Sequence, residues 1–123
     1  MNHLSLILLQ KDSRVARYLS RQLCNYFHSI HVARTTSELR DLIARFRSDV
    51  VVVDIESASL TEVQLLHRDF ADLCIVCTHR LADEQMWTAA MDAGADDICS
   101  ALDTRAIVSA ATRSAPISRS AAA

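Results

Sequence analysis

Four consecutive valines closed at each end by an aspartate, Asp49-Val-Val-Val-Val-Asp54, constrain this chain more than any other stretch. Successive side chains on a strand point to opposite faces, so an unbroken β-branched run has no side to offer to water. Such a segment belongs in the middle of a parallel sheet covered on both faces. Parallel strands in turn need crossover connections long enough to hold a helix.

The rest of the chain supplies that alternation. Leu4-Ser-Leu-Ile-Leu-Leu9 reads as a first buried strand, and Asp12 or Ser13 is placed to cap a helix carrying Val15, Tyr18, Leu19, Leu23 and Tyr26 on its inner face. Ile30 and Val32 flank His31 in a short second strand, after which Thr35-x-x-Glu38 has the form of a capping box and Leu39, Leu42, Ile43 and Phe46 mark a second helix. Beyond Asp54, the residues Leu60, Val63, Leu66 and Phe70 give a third helix, and Leu73-Cys-Ile-Val-Cys-Thr78 a fourth strand. A fourth helix over 83–93 has Met86, Ala89, Ala90 and Ala93 as its buried stripe. Gly94, the sole glycine, is placed to end it in the left-handed conformation. Residues 98–100 make a brief fifth strand and 103–113 a last helix capped by Asp103, so the domain is expected over 1–113, with 114–123 as a linker stub or disordered tail. Five strand–helix alternations predict a single doubly wound α/β domain, with its reactive groups at the carboxyl ends of the strands.

Composition narrows the class. Half of the 123 residues are hydrophobic, enough for one core, but no apolar run approaches the roughly 20 residues a bilayer demands. The amino terminus has no basic-then-apolar leader, which makes the cytoplasm the expected location. Cys24, Cys74, Cys77 and Cys99 fall in apolar or helical stretches and read as reduced core residues. Cys74-x-x-Cys77 has zinc-like spacing, but three residues along a strand lead to the opposite face. The net charge of −2 favours no nucleic-acid partner. It is unevenly spread: residues 1–48 carry eight Lys/Arg against three Asp/Glu and residues 49–123 five against twelve, or +5 and −7. Solvated helix faces account for such a split in most proteins. The alternative is a contact face built from Arg14, Arg17 and Arg21, spaced three and four apart on one helix.

Three stretches on the expected elements, Asp49-Val-Val-Val-Val-Asp54-Ile55, Ile75-Val-Cys-Thr78 and Asp92-Ala-Gly-Ala-Asp-Asp97, together make residues 4–113 resemble the receiver domain of bacterial two-component response regulators. The resemblance implies a flavodoxin-like sheet of order 2-1-3-4-5, a phospho-acceptor at Asp54 and a hydroxyl at Thr78 that binds the phosphoryl group. It also implies two magnesium-binding acids after the first strand and a lysine after the fifth. Those positions hold Gln10 and Lys11, with Asp12 just beyond, and Ala101, followed by Leu102 where a proline is usual. The loop after Asp54 lacks the family's proline and glycine and is shortened. Ile98 stands where the family carries a switch aromatic.

These departures have a physical meaning. Phosphoryl transfer relies on a metal and cations to offset charge, and an amide with an ammonium cannot replace two carboxylates around a hard cation. The pocket of Gln10, Lys11, Asp12, Asp54, Glu56, Thr78 and Ala101 is therefore expected to be vestigial as a phosphosite, to need no cofactor and to bind no magnesium. Lys11 is expected to pair with Asp54, with Glu56 partly offsetting its charge. His79 and Arg80 are further cations nearby.

Trp87, one position off the buried stripe of its helix, and Ile98 are interface candidates, because the resemblance implies dimer or effector contacts through the helix 4, strand 5, helix 5 face. The sequence therefore predicts a non-enzymatic, receiver-like signalling domain working by contact with a protein partner or a fused effector domain. The alternatives are a conventional phosphorelay receiver accepting phosphate on Asp54, or the amino-terminal receiver-like domain of a pilus-assembly or localisation protein. A flavin or nucleotide site is disfavoured because Gln10-Lys-Asp-Ser-Arg14 lacks the glycines that let phosphate reach backbone amides.

Overall fold

Val50, Val51, Val52 and Val53 are wholly removed from solvent at the centre of a five-stranded parallel sheet. Each buried side chain of this kind contributes roughly 1.5–3 kcal/mol of transfer free energy. The computed structural model describes residues 3–80 and 83–122, with side chains through Arg113. In chain order the elements are β1 (Ser5–Leu9), α1 (Ser13–Leu23), β2 (Ser29–Ala33), α2 (Thr36–Phe46), β3 (Val50–Asp54), α3 (Leu60–Asp69), β4 (Cys74–His79), α4 (Glu84–Asp92), β5 (Asp97–Ser100) and α5 (Thr104–Ala122). The sheet order is β2-β1-β3-β4-β5, the expected doubly wound arrangement.

Strand alternation sorts the core into two layers. Leu6, Leu8, Val50, Val52, Cys74, Val76 and Cys99 point to the side covered by α1 and α5, where Ala16, Leu19, Leu23, Ile107 and Ala110 pack. Ile7, Leu9, Val51, Val53, Ile75, Cys77 and Ile98 point to the side covered by α2, α3 and α4, through Leu39, Ile43, Val63, Leu66 and Ala90. Cys74 and Cys77 thus sit on opposite faces, as a strand requires.

The helix starts follow local hydrogen-bond chemistry. Asp12 Oδ1 accepts from the backbone N–H groups of Arg14 and Val15, Thr35 Oγ1 from Glu38, Ser59 Oγ from Glu62, Asp83 Oδ1 from Met86 and Asp103 Oδ1 from Ala106. After α4, Gly94 has φ +104°, and a Cβ there would meet the ring of His67 on α3 at 2.6 Å. Glycine is required both by the backbone and by the close approach.

Several expected core positions are instead at the surface. Tyr18 and Tyr26 are exposed because Ala16, Leu19, Leu23 and Phe27 fill the layer beneath α1, leaving no room for two more large rings. Phe46 is also exposed and stacks on His31 of the edge strand β2, with ring centroids 4.0 Å apart. Cys24 is the exposed C-cap of α1, so only Cys74, Cys77 and Cys99 are core cysteines. Helix α5 runs on past Arg113 to Ala122. The expected linker character of 114–123 concerns side chains outside those described.

Candidate aspartate pocket at the carboxyl end of the sheet

The parallel register builds this pocket. Asp54 ends β3 directly beside Thr78 of β4, and both follow the alternation that places Val52 and Val76 on the α1 and α5 side. Gln10 follows β1, the strand that pairs with β3 on its other side. Ala101 follows β5, its N–H donating to the His79 carbonyl at 3.1 Å. The sequence-predicted positions 10, 54, 78 and 101 are thereby gathered at one end of the sheet, and all four are buried.

Asp54 is 6% exposed, and its carboxylate accepts two hydroxyl hydrogen bonds. Thr78 Oγ1 donates to Oδ1 at 3.3 Å and Ser57 Oγ to Oδ2 at 3.1 Å. The loop curls tightly enough for Ser57 to reach back because the N–H groups of Ser57 and Ala58 both donate to the Asp54 carbonyl, at 2.9 and 3.0 Å. Ser57 Oγ in turn accepts from the backbone N–H of Lys11 at 3.0 Å. A relay therefore runs from the β1–α1 loop through one serine to the buried carboxylate. Both hydroxyl bonds are longer than the ~2.7–2.8 Å usual for O–H···O contacts.

The expected ion pair between Lys11 and Asp54 is not formed: among the described residues Lys11 makes no salt bridge, and its side chain is exposed. Its backbone is what engages the pocket, by way of Ser57, while an ammonium in water keeps a hydration shell that a buried carboxylate could replace only at a desolvation cost. Gln10 is 5% exposed, and its Oε1 accepts from the Asp12 N–H at 3.0 Å, bracing the same loop. Asp12 spends its carboxylate on the N-terminus of α1.

Glu56 does not balance Lys11 either. Its Oε1 lies 3.0 Å from Arg80 Nε and 3.4 Å from His79 Nε2, tying the loop after β3 to the end of β4. Leu102, in the position after Ala101, is exposed. Trp87 is 48% exposed on α4, whereas Ile98 is buried in the core and presents no surface for contact. Beneath the pocket, burial above all pushes the Cys77 thiol up to about 12, with Cys99, Asp54 and Asp96 adding to it. Burial likewise moves Cys99 to about 11, helped by Asp97 and Asp103. Both thiols are neutral at physiological pH and so are poor nucleophiles.

Ser57 was missed by sequence reasoning. Its signal was a hydroxyl residue three positions after a strand-end aspartate, the offset at which a tight turn brings a side chain back over the strand end. The Glu56–Arg80 link was also missed, since nothing in the spacing of 56 and 80 joins them before the β3–β4 register is known.

Sequence comparison finds no matching family model and no matching curated protein. Solved structures match over nearly the whole chain. The receiver domain of the Francisella response regulator 1452 superposes with a TM-score of 0.82 at 13% identity, covering 94% of this chain and 99% of its own. The fold is that of a response-regulator receiver domain. A response regulator from Thermotoga maritima gives a TM-score of 0.79 at 17% identity over 90% of this chain and 99% of that one. NtrX from Brucella abortus, solved in complex with ADP, gives 0.85 at 14% identity over 98% of this chain but 29% of its own, so the same receiver fold also occurs there as part of a much longer chain. Among the described residues no helix is long and apolar enough to cross a membrane.

Proposed function

We propose that this receiver-fold domain is a signalling module that works by protein contact, without magnesium-dependent phosphorylation of Asp54 and without enzymatic activity. The observation that carries the reading is the hydrogen-bonding state of Asp54: a buried carboxylate held by two neutral hydroxyls, Ser57 and Thr78, with no cation bonded to it among the described residues. A magnesium ion wants several oxygen ligands, preferably including carboxylates, in octahedral geometry. Of the other acids expected in the pocket, Asp12 caps α1 through Oδ1 and Glu56 meets Arg80 through Oε1. Among the described residues no three His, Cys, Asp or Glu side chains converge. The residues present do not fit the ion.

The chemistry agrees with the geometry. The transition state of phosphoryl transfer needs preorganised positive charge, and removing a single electrostatic contact of this kind costs on the order of 10²–10³ in rate. Here two carboxylates and one lysine are replaced together, by Gln10, Lys11 and Ala101. What remains is a pocket in which Ser57 joins Asp54 to the Lys11 N–H, which suits a domain that acts through its surface on a partner protein or a fused effector domain.

The competing reading is a conventional receiver, and the Thr78 hydroxyl beside Asp54 favours it. Incubation with acetyl phosphate and magnesium, followed by intact mass measurement, separates the two. The contact-module reading expects no phosphorylated species, whereas stoichiometric modification lost on Asp54→Asn would overturn it.

A further inference from the structure

The chain carries two exposed stripes of matching length and opposite charge, on helices that cover opposite faces of the sheet. On α1, Arg14, Arg17, Tyr18 and Arg21 share one outward face, all exposed, and no acidic residue occurs between Ser13 and Arg34. Among the described residues none of these three arginines forms an ion pair. On α4, Glu84, Trp87, Thr88 and Asp92 line an outward face beside a shallow groove, and no basic residue occurs between Asp83 and Thr104. At 1.5 Å per residue, each stripe is about 10–12 Å long. Each is centred on a half-exposed aromatic, Tyr18 at 43% and Trp87 at 48%.

We infer that α1 of one copy docks on α4 of the next, so that the domain associates head to tail with itself. This rests on the reading of the domain as a contact module and names its partner as a second copy of the chain. Antiparallel or parallel, the stripes bring arginines against Glu84 and Asp92, and a guanidinium over the Trp87 face adds a cation–π contact. Because α1 packs in one core layer and α4 in the other, a single copy cannot close the contact on itself. The interface is heterologous, and copies add end to end. One helix face against another buries less than the ~1,600 Å² of a standard stable complex, so association is transient and set by charge.

Sedimentation measures this directly on the full chain. At about 0.01 M ionic strength, where charges reach ~30 Å, the weight-average mass is expected to rise steadily with protein concentration, and at about 1 M, where they reach ~3 Å, to return to that of the monomer. The variants R14Q/R17Q/R21Q and E84Q/D92N, at exposed positions, should each be monomeric at low salt. Mixed, they retain one intact α4 stripe and one intact α1 stripe, and so should form a 1:1 dimer that grows no further. A wild-type chain that stays monomeric at low salt, a single variant that still grows, or a mixture that fails to pair overturns the inference. Circular dichroism of each variant separates lost contact from lost fold, and the salt dependence of the wild type tests the inference without any variant. Failure here leaves the pocket chemistry of Asp54 untouched, while phosphorylation of Asp54 counts against the contact-module reading and not against this contact.

Discussion

The Asp54 carboxylate is hydrogen-bonded by two neutral hydroxyls, Ser57 and Thr78, and that sets what a substitution does. Breaking a buried ion pair typically costs ~3–5 kcal/mol because a lone charge is left behind. No such partner is bonded to Asp54, so Asp54→Asn is expected to change stability by no more than about 1 kcal/mol in urea denaturation, since the amide keeps an acceptor and removes a buried charge. Ser57→Ala removes the donor to Asp54 and the acceptor for the Lys11 N–H at once, and should cost about 1–2 kcal/mol. In the double variant the two effects should be non-additive by roughly 0.5–1 kcal/mol, a coupling a double-mutant cycle reads directly.

The positions of this pocket were legible from the sequence and its connectivity was not. Strand parity placed Asp54 and Thr78 side by side, because both end apolar runs of fixed length. Which atoms then bond depends on loop curvature and solvation: Lys11 kept its ammonium in water and lent its backbone instead, and a serine outside the recognised pattern took the carboxylate.

At the scale of elements, the β-branched core strands, the caps at Asp12, Thr35 and Asp103, and the glycine stop after α4 were readable, because each is set by local chemistry, whereas Asp83, expected inside the fourth helix, caps it instead. Helix faces were read less well. Tyr18, Tyr26 and Phe46 fit a helical period but proved exposed, because smaller residues already fill the layer and periodicity does not say how wide the buried stripe is. Gly94 is the sharpest element-level test. Its φ of +104° and the 2.6 Å approach of a Cβ to His67 predict that Gly94→Ala costs about 1–3 kcal/mol in denaturant unfolding. Adding His67→Ala should recover the steric part and leave the backbone part.

The sheet thiols make a second test. Cys77 and Cys99 are held above their ordinary value of 9.0, at about 12 and about 11, chiefly by burial. The folded state therefore favours their neutral form. That contribution is intact below pH 9 and is lost as pH rises from there through the folded values, because the unfolded chain releases protons first. Thermal stability is expected to fall progressively above pH 9, and a Cys77→Ala/Cys99→Ala chain should show a shallower decline.

For the whole molecule, the fold gathers Gln10, Asp54, Thr78 and Ala101 at one end of the sheet while helices on opposite faces carry opposite charge. The fold matches that of solved receiver domains at 13–17% identity, and in the proposed reading Gln10, Lys11 and Ala101 stand where that resemblance implies two acids and a lysine. One fold accommodates such different sequences because it depends on apolar periodicity and turn chemistry, which many sequences satisfy, whereas a divalent-ion site depends on a few particular carboxylates.

Magnesium titration of the isolated chain, followed by amide chemical shifts with and without beryllofluoride, tests this most directly. The account predicts no saturable shifts at Gln10, Lys11, Asp54, Ser57 or Thr78 through millimolar magnesium, and no new set of resonances with beryllofluoride. Saturable binding centred on Asp54, together with a beryllofluoride-dependent displacement of Thr78, would contradict it.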